Sequence, residues 1–279
     1  MKPTSGADTG GVAAGVVVVG SITADVTAFS QRLPHRGETV LGDDFTLVLG
    51  GKGANQAVAG ALAGAPSYLV GCVGDDLFKN LVFDGLLRHK VNIDHIRIVE
   101  GATGVAHIRV DASGENDIVI TPLANSRLTG HQVETAISAL AGRVSVMLTQ
   151  LEIPLETCMA AIRCGKESGL TVLLDPAPAQ HLDDAIWPFV DIVTPNETEA
   201  SLITGIPVVD EATAIDAGRW FCARGVRHAV VTLASAGAVL VTGREAVRFN
   251  AFAVDVVDTT AAGDAFAGYL GAALAGGDA

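Results

Sequence analysis

Short runs of Val, Ile and Leu recur along this chain, each followed by a stretch whose apolar residues fall at helical spacing. Continuous apolar runs suit strands buried on both faces. They place strands at residues 16–20, 68–73, 144–148, 171–175, 190–193 and 228–233. Helices are expected near residues 55–63, 77–89, 131–140, 156–168, 212–223 and 262–275. Alternating strands and helices predict an α/β fold, a doubly wound and mostly parallel sheet flanked by helices. Two regions, 23–49 and 104–120, instead alternate apolar and polar positions and lack helical period. They predict a small antiparallel β flap, or simply an edge hairpin with no gating role. Residues 1–15 are rich in Gly, Ala, Thr and Ser without periodicity and read as a mobile N-terminal tail. The rest, 16–279, reads as one domain.

Composition narrows the picture by exclusion. A chain of 279 residues, 49% hydrophobic, is long enough to bury a substantial core. Its formal charge of −13, with 18 scattered basic residues, argues against a nucleic-acid partner, whose phosphates need clustered Lys and Arg. The early apolar run 16–19 is far short of a membrane span, and no signal-type core precedes it, so a cytoplasmic protein with no membrane partner is expected. Cys72, Cys158, Cys164 and Cys222 lack CxxC spacing and lie in apolar contexts. Buried free thiols are expected there rather than disulfides or zinc ligands.

Candidate chemistry concentrates in three segments. In DTTAAGDAFAGYL, residues 258–270, the small residues Ala261, Ala262 and Gly263 let a ligand approach the unpaired N–H groups at a helix start, where a transferring phosphoryl group would be stabilised. Asp264 in the first turn could accept a proton from an attacking hydroxyl. The same residues also suit an ordinary capped helix packed closely on a neighbour. GGKGANQAVAGALAGA, residues 50–65, sets three glycines and Lys52 before another small-residue helix, which suggests close backbone approach to a polar ligand. It is not a Walker A loop, because residue 46 is threonine and residue 53 is glycine. TPNETEA, residues 194–200, puts Asn196 and Glu199 three apart at a helix start, which fits a capping pair or the oxygen-rich side of a Mg²⁺–phosphate site. No GxGxxG follows the first strand, which removes a dinucleotide-dependent oxidoreductase.

GGKGANQA, NETEA and DTTAAGDAF, in this order and at these separations, resemble the ribokinase-like carbohydrate kinase family, also called the PfkB family. GSITAD (20–25), GETV (37–40), QLEIPLE (150–156), DPAPA (175–179) and VDIVTPNETEASLITGI (190–206) point to its ribokinase branch, and the resemblance covers roughly residues 16–276. It implies an ATP-dependent sugar kinase that phosphorylates the primary hydroxyl of a pentose, D-ribose to D-ribose 5-phosphate. Alternatives are 2-deoxyribose, a fructose-type sugar or adenosine as substrate, or a sugar-binding protein with impaired catalysis. Asp264 would be the base, with the backbone of Ala261 to Asp264 as anion hole. Thr23, Asp25, Gly51, Lys52, Asn55 and Glu152 would bind the sugar. Asn196, Thr232, Ser235 and Gly237 would meet ATP, and Glu199 would hold Mg²⁺ through water. Asp258 and Thr260 would hold a monovalent cation, K⁺. The flap becomes a lid over the sugar and a homodimer interface.

Three departures from the family pattern bear on function. Thr23 stands where the family carries asparagine, Ala234 and Ala236 replace a glycine and a larger polar residue in the nucleotide turn, and the chain stops at Ala279 where the family continues for roughly another helix pair.

Overall fold

The run Val16–Val19 sends its side chains to opposite faces of the central strand. Val17 and Val19 join one core and Val16 and Val18 the other, all fully buried. A strand covered on both faces carries no polar alternation, so it reads as an uninterrupted apolar run. The computed structural model describes residues 14–255 and 259–277. Most of the expected tail and Asp258 therefore lie outside the described residues.

In chain order the strands are β1 (Gly15–Val19), β2 (Thr23–Phe29), β3 (Asp44–Gly50), β4 (Ser67–Gly74), β5 (Asn92–Val99), β6 (Gly104–Val110) and β7 (Asn116–Thr121). They continue with β8 (Val144–Thr149), β9 (Thr171–Leu174), β10 (Ile192–Val193), β11 (His228–Thr232), β12 (Ala238–Val241) and β13 (Ala246–Phe249). The helices are α1 (Lys52–Leu62), α2 (Phe78–Arg88), α3 (Gly130–Ala139), α4 (Leu155–Glu167), α5 (Glu197–Thr204), α6 (Glu211–Cys222) and α7 (Ala262–Gly276).

The main sheet runs β13-β12-β11-β10-β9-β8-β1-β4-β5, parallel from β11 to β5, with β12 and β13 added antiparallel at one edge. The chain leaves β1 for β4 and β5 on one side, then returns to lay β8 against the other edge of β1. Strand order reverses there, and in such sheets the carboxyl ends around the reversal form a ligand crevice. Helices α1, α2 and α7 cover the face of Val16 and Val18, and α3, α4 and α6 cover the face of Val17 and Val19. The doubly wound α/β expectation holds.

The second sheet runs β3-β2-β6-β7 and is the expected small β unit. Two antiparallel pairs, β2 with β3 and β6 with β7, are joined by a parallel pairing of β2 with β6. Elements 23–29 and 44–50 lie within the expected span 23–49, save one residue, and the connection between them carries no strand. Helix α1 begins at Lys52 rather than Asn55, so Lys52 stands in its first turn instead of in a loop. Strands β5, β12 and β13 were absent from the sequence expectation.

Helices α1 and α7 meet with almost no side chain between them. A Cβ on Gly268 would lie 2.5 Å from the Ala59 Cβ and 2.6 Å from the Gln56 carbonyl oxygen. All four cysteines are free thiols, and burial pushes Cys72 up to about 11 and Cys158 up to about 12. No helix among the described residues is long and apolar enough to cross a membrane.

Candidate active site

The carboxyl ends of β1, β8 and β9 converge on the N-terminus of α1. Gly51 caps that helix with φ of 91°, a left-handed-side conformation that glycine takes without strain. Ser21, just past β1, donates its hydroxyl to Glu152 Oε2 at 2.6 Å, and its carbonyl accepts from the Ala54 N–H at 3.0 Å. Glu152, past β8, also accepts from the Lys52 N–H at 3.1 Å. A carboxylate thus satisfies an orphan donor of the helix start and complements its dipole.

Lys52, Asn55 and Gln56 stand at i, i+3 and i+4 on α1, one face of the helix. That face meets Asp264, the buried carboxylate in the first turn of α7. Asn55 Nδ2 donates to Asp264 Oδ2 at 3.0 Å, Gln56 Nε2 donates to Oδ1 at 3.2 Å, and Lys52 Nζ lies 4.0 Å from Oδ1. Burial raises the Asp264 pKa above the ordinary carboxylate value, while Lys52, Asn55 and Gln56 pull it down and Glu152 adds to the rise. Burial alone would lower Lys52, yet Asp264, Asp175, Glu152 and Glu199 together hold it above its usual value. The site thus holds a cation among four carboxylates, and a carboxylate whose proton affinity is tuned upward. Such a group can take a proton from a hydroxyl.

Asp25 projects from β2 over Gly50, whose absent side chain makes the room: a Cβ there would lie 2.1 Å from the carboxylate. Thr23 Oγ1 donates to Asp25 Oδ1 at 2.6 Å. Thr23 is itself buried, so its hydroxyl supports Asp25. Burial raises the Asp25 pKa against that hydrogen bond, with Glu152 and Asp264 adding to the rise. Asn125 braces the same loop, accepting from the Ile22 N–H and donating to the Ile22 carbonyl, both at 2.9 Å.

The remaining expected residues gather in a second group. Asn196 and Glu199 form a reciprocal capping box at the start of α5, each side chain accepting the other's N–H at 2.9 Å. Asn196 bridges to Thr232 at the end of β11. Ser235 lies in the exposed single turn that follows, closed by Gly237 with φ of 96°. Ala234 begins that turn with φ of 44°, and Ala261 precedes α7 with φ of 58°. Both alanines hold a left-handed conformation that costs about 1–2 kcal/mol with a Cβ present. The Ala262 N–H donates to the Thr259 carbonyl at 3.1 Å, and among the described residues the Gly263 and Asp264 N–H groups of this helix start meet no backbone acceptor. Thr260 lies in the turn before α7, and Asp258 falls outside the described residues.

Sequence reasoning missed Gln56, Gln150 and Asp175. Gln56 Nε2 donates to Asp175 Oδ2 at 2.8 Å, and Gln150 Nε2 donates to Gln56 Oε1 at 2.5 Å. The available signals were a glutamine inside an Ala-rich helix and two polar residues directly after strands. Among the described residues no three His, Cys, Asp or Glu side chains converge as a metal cage. A cavity of about 580 Å³ between β3, α1, α2 and α7 shares Asn55 and Ala261 with the site. Asp25, Lys52, Glu152 and Asp264 do not line it, so the chemistry belongs to the crevice beside it.

A model of the pfkB family of carbohydrate kinases matches residues 13–278. The chain is 37% identical over 260 residues to a ribokinase of Haemophilus influenzae, covering 93% of this chain and 85% of that one. It is 36% identical over 255 residues to a deoxyribokinase of Salmonella typhi, covering 91% and 83%. Its structure resembles a ribokinase of Arabidopsis thaliana, solved with ribose and ATP, with a TM-score of 0.86, 31% identity and coverage of 96% and 88%. The chain therefore belongs to the pfkB carbohydrate kinases, phosphotransferases with a hydroxyl acceptor.

Proposed function

We propose that this chain is an ATP-dependent pentose kinase that converts D-ribose to D-ribose 5-phosphate. The observation that carries the reading is Asp264, buried at a helix N-terminus and gripped by three side chains of α1. The sugar would lie between β2 and the start of α1. Asp25 would accept from its hydroxyls, with Thr23 acting through Asp25, and Gly51, Lys52, Asn55 and Glu152 would complete the polar shell. An ionised carboxylate is acceptor-only, which rewards a polyol over a less hydroxylated analogue. The primary hydroxyl gives its proton to Asp264 as its oxygen bonds to the γ-phosphorus and the bond to ADP breaks. The Gly263 and Asp264 N–H groups, beside Ala261 and Ala262, face the charge on the phosphoryl group in flight.

The oxygen donors present suit Mg²⁺ held mainly by phosphate and water, with Glu199 Oε1 beside it, because Glu199 Oε2 and the single side-chain oxygen of Asn196 already cap α5. Bound there, the ion would neutralise phosphate charge. Thr232, Ser235 and Gly237 would contact the nucleotide. A monovalent cation, K⁺, would sit at Asp258 and Thr260. The exposed Phe45, Val48, Val119 and Ile120 of the β lid suit a homodimer, and a cytoplasmic location fits this substrate pair.

The test is ADP production by the purified chain with ATP, Mg²⁺ and K⁺ across D-ribose, 2-deoxyribose, fructose and adenosine. Turnover selective for ribose is expected. Preference for 2-deoxyribose would favour the second reading, which rests on the deoxyribokinase relative and on Thr23 having its hydroxyl committed to Asp25. Sugar binding without turnover would overturn the kinase reading.

A further inference from the structure

Gln56 is fully buried in α1, followed by a run of only Ala, Val and Gly up to Ala61. A carboxamide in such a place is destabilising unless its donors and acceptor are bonded. Its bonds here are unusual in direction, since one nitrogen donates to two carboxylates from different elements, Asp175 after β9 and Asp264 on α7. Gln150 donates to the amide oxygen and so fixes which way the amide faces. Turning it over would aim oxygen at two carboxylates and nitrogen at a donor. Gln150 holds this position although its own Oε1 is buried and has no hydrogen-bond partner among the described residues. A network kept at that cost does more than fill space.

We infer that Gln56 is a positioning residue: clamped by Gln150 and anchored on Asp175, it fixes the orientation of the Asp264 carboxylate that receives the sugar proton. The inference rests on the kinase reading above. Two effects follow from the geometry. The clamp holds Oδ1, so that Oδ2, bonded to Asn55, keeps a set direction toward the crevice. A donor on a carboxylate also favours its ionised form, the form a base needs. The titratable groups that face Asp264 are Lys52 from α1, Asp25 from β2, Glu152 after β8 and Asp175 after β9, with Glu199 of α5 acting on Lys52 and Asp175. Gln56 and Asn55 are its neutral donors.

The experiment compares pH profiles of kcat/KM for the wild type, Gln56→Met and Gln56→Glu with ribose and MgATP, alongside melting temperatures. Gln56→Met keeps the length and removes the donor. Its acid limb should move up by about half a pH unit and its plateau kcat fall about tenfold, with sugar KM within about threefold. Gln56→Glu should move the limb further in the same direction. A fall in kcat with an unmoved acid limb would make Gln56 merely structural and overturn the inference. Should either variant fold poorly, Gln150→Met frees the clamp without touching Asp264, and a smaller shift of the same sign is expected. Asp264→Asn separates the two claims, because wild-type turnover in that variant defeats the base reading itself. A carboxyl ¹³C titration of Asp-labelled protein, assigned with Asp264→Asn, reads the same shift without turnover. An Asp264 titration identical in wild type and Gln56→Met would overturn the inference.

Discussion

Around the α1–α7 junction, hydrogen bonds of 2.6 to 3.4 Å hold Asp264 to Asn55 and Gln56, Glu152 and Ser21 to each other and to the start of α1, and Asp25 to Thr23, and these groups are mostly screened from water. At the other end of the crevice, the turn after β11 is exposed, and Ala234 holds a left-handed backbone that its side chain disfavours. The first region is preorganised by side chains from helices and strands of the rigid sheet. The second relies on backbone and on one capping box. The difference assigns the two substrates different demands: a sugar needs fixed acceptors at set positions, whereas a nucleotide brings its own charge and metal to an open helix end. Local strain at the proposed phosphate end is the arrangement expected where a ligand, rather than the fold, completes the bonding.

Changing the most rigid point should have the largest effect. Asp264→Asn keeps the shape but removes the proposed base, so kcat should fall about a hundred- to ten-thousand-fold while sugar binding by calorimetry stays within about threefold. Next comes Asp25→Ala, which should raise sugar KM about ten- to a hundredfold through lost charged hydrogen bonds. Its ATP KM should stay unchanged, and a matching rise there would erase the division between the two ends.

A third test concerns the floor of the rigid end. Burial, opposed by Lys52 and aided by Asp264, Glu199 and Glu152, pushes Asp175 up to about 8 from its ordinary 3.8. The folded state therefore binds a proton that the unfolded chain releases, and this contribution to stability is lost as pH rises from about 4 to about 8. Asp175→Asn is neutral throughout, so its melting temperature should exceed the wild type's by about 4 °C or more at pH 8.5 and by less at pH 5. A gap that does not grow with pH would show that Asp175 is not held protonated. The smallest effect belongs to the strained end. Ala234→Gly should relieve about 1 kcal/mol or less and raise the melting temperature about 1–3 °C. A fall would show that the alanine side chain packs usefully.

The α/β order was legible because strands buried on both faces are largely apolar, as Val16–Val19 and residues 146–148 are. The start of α5 was legible as an Asn–Glu pair at capping spacing, and the structure forms both of its bonds. Strand β5, NIDHIRIV, was not, since at the sheet edge it mixes charged and apolar positions without a clean run. The start of α1 was misread by three residues because Gly51 caps it by conformation, with no side-chain cap to announce it. Lys52, Asn55 and Asp264 were legible as candidates from local spacing. The bonds from Gln56 to Asp175 and Asp264 span 119 and 208 residues, and no local pattern encodes contacts at that separation.

Gly60 stands one turn after Gln56, and Gly268 stands one turn after Asp264. With a Cβ on Gly268 only 2.5 Å from its neighbour across the gap, α1 and α7 act like two rods pinned together at a joint without play. The placement of Asp264, the proposed proton acceptor, depends on that joint, made by residues with no chemistry of their own. Enlarging Gly268 would swing the reactive ends apart like the tips of shears, and the site would lose its alignment while every reactive group remained in place.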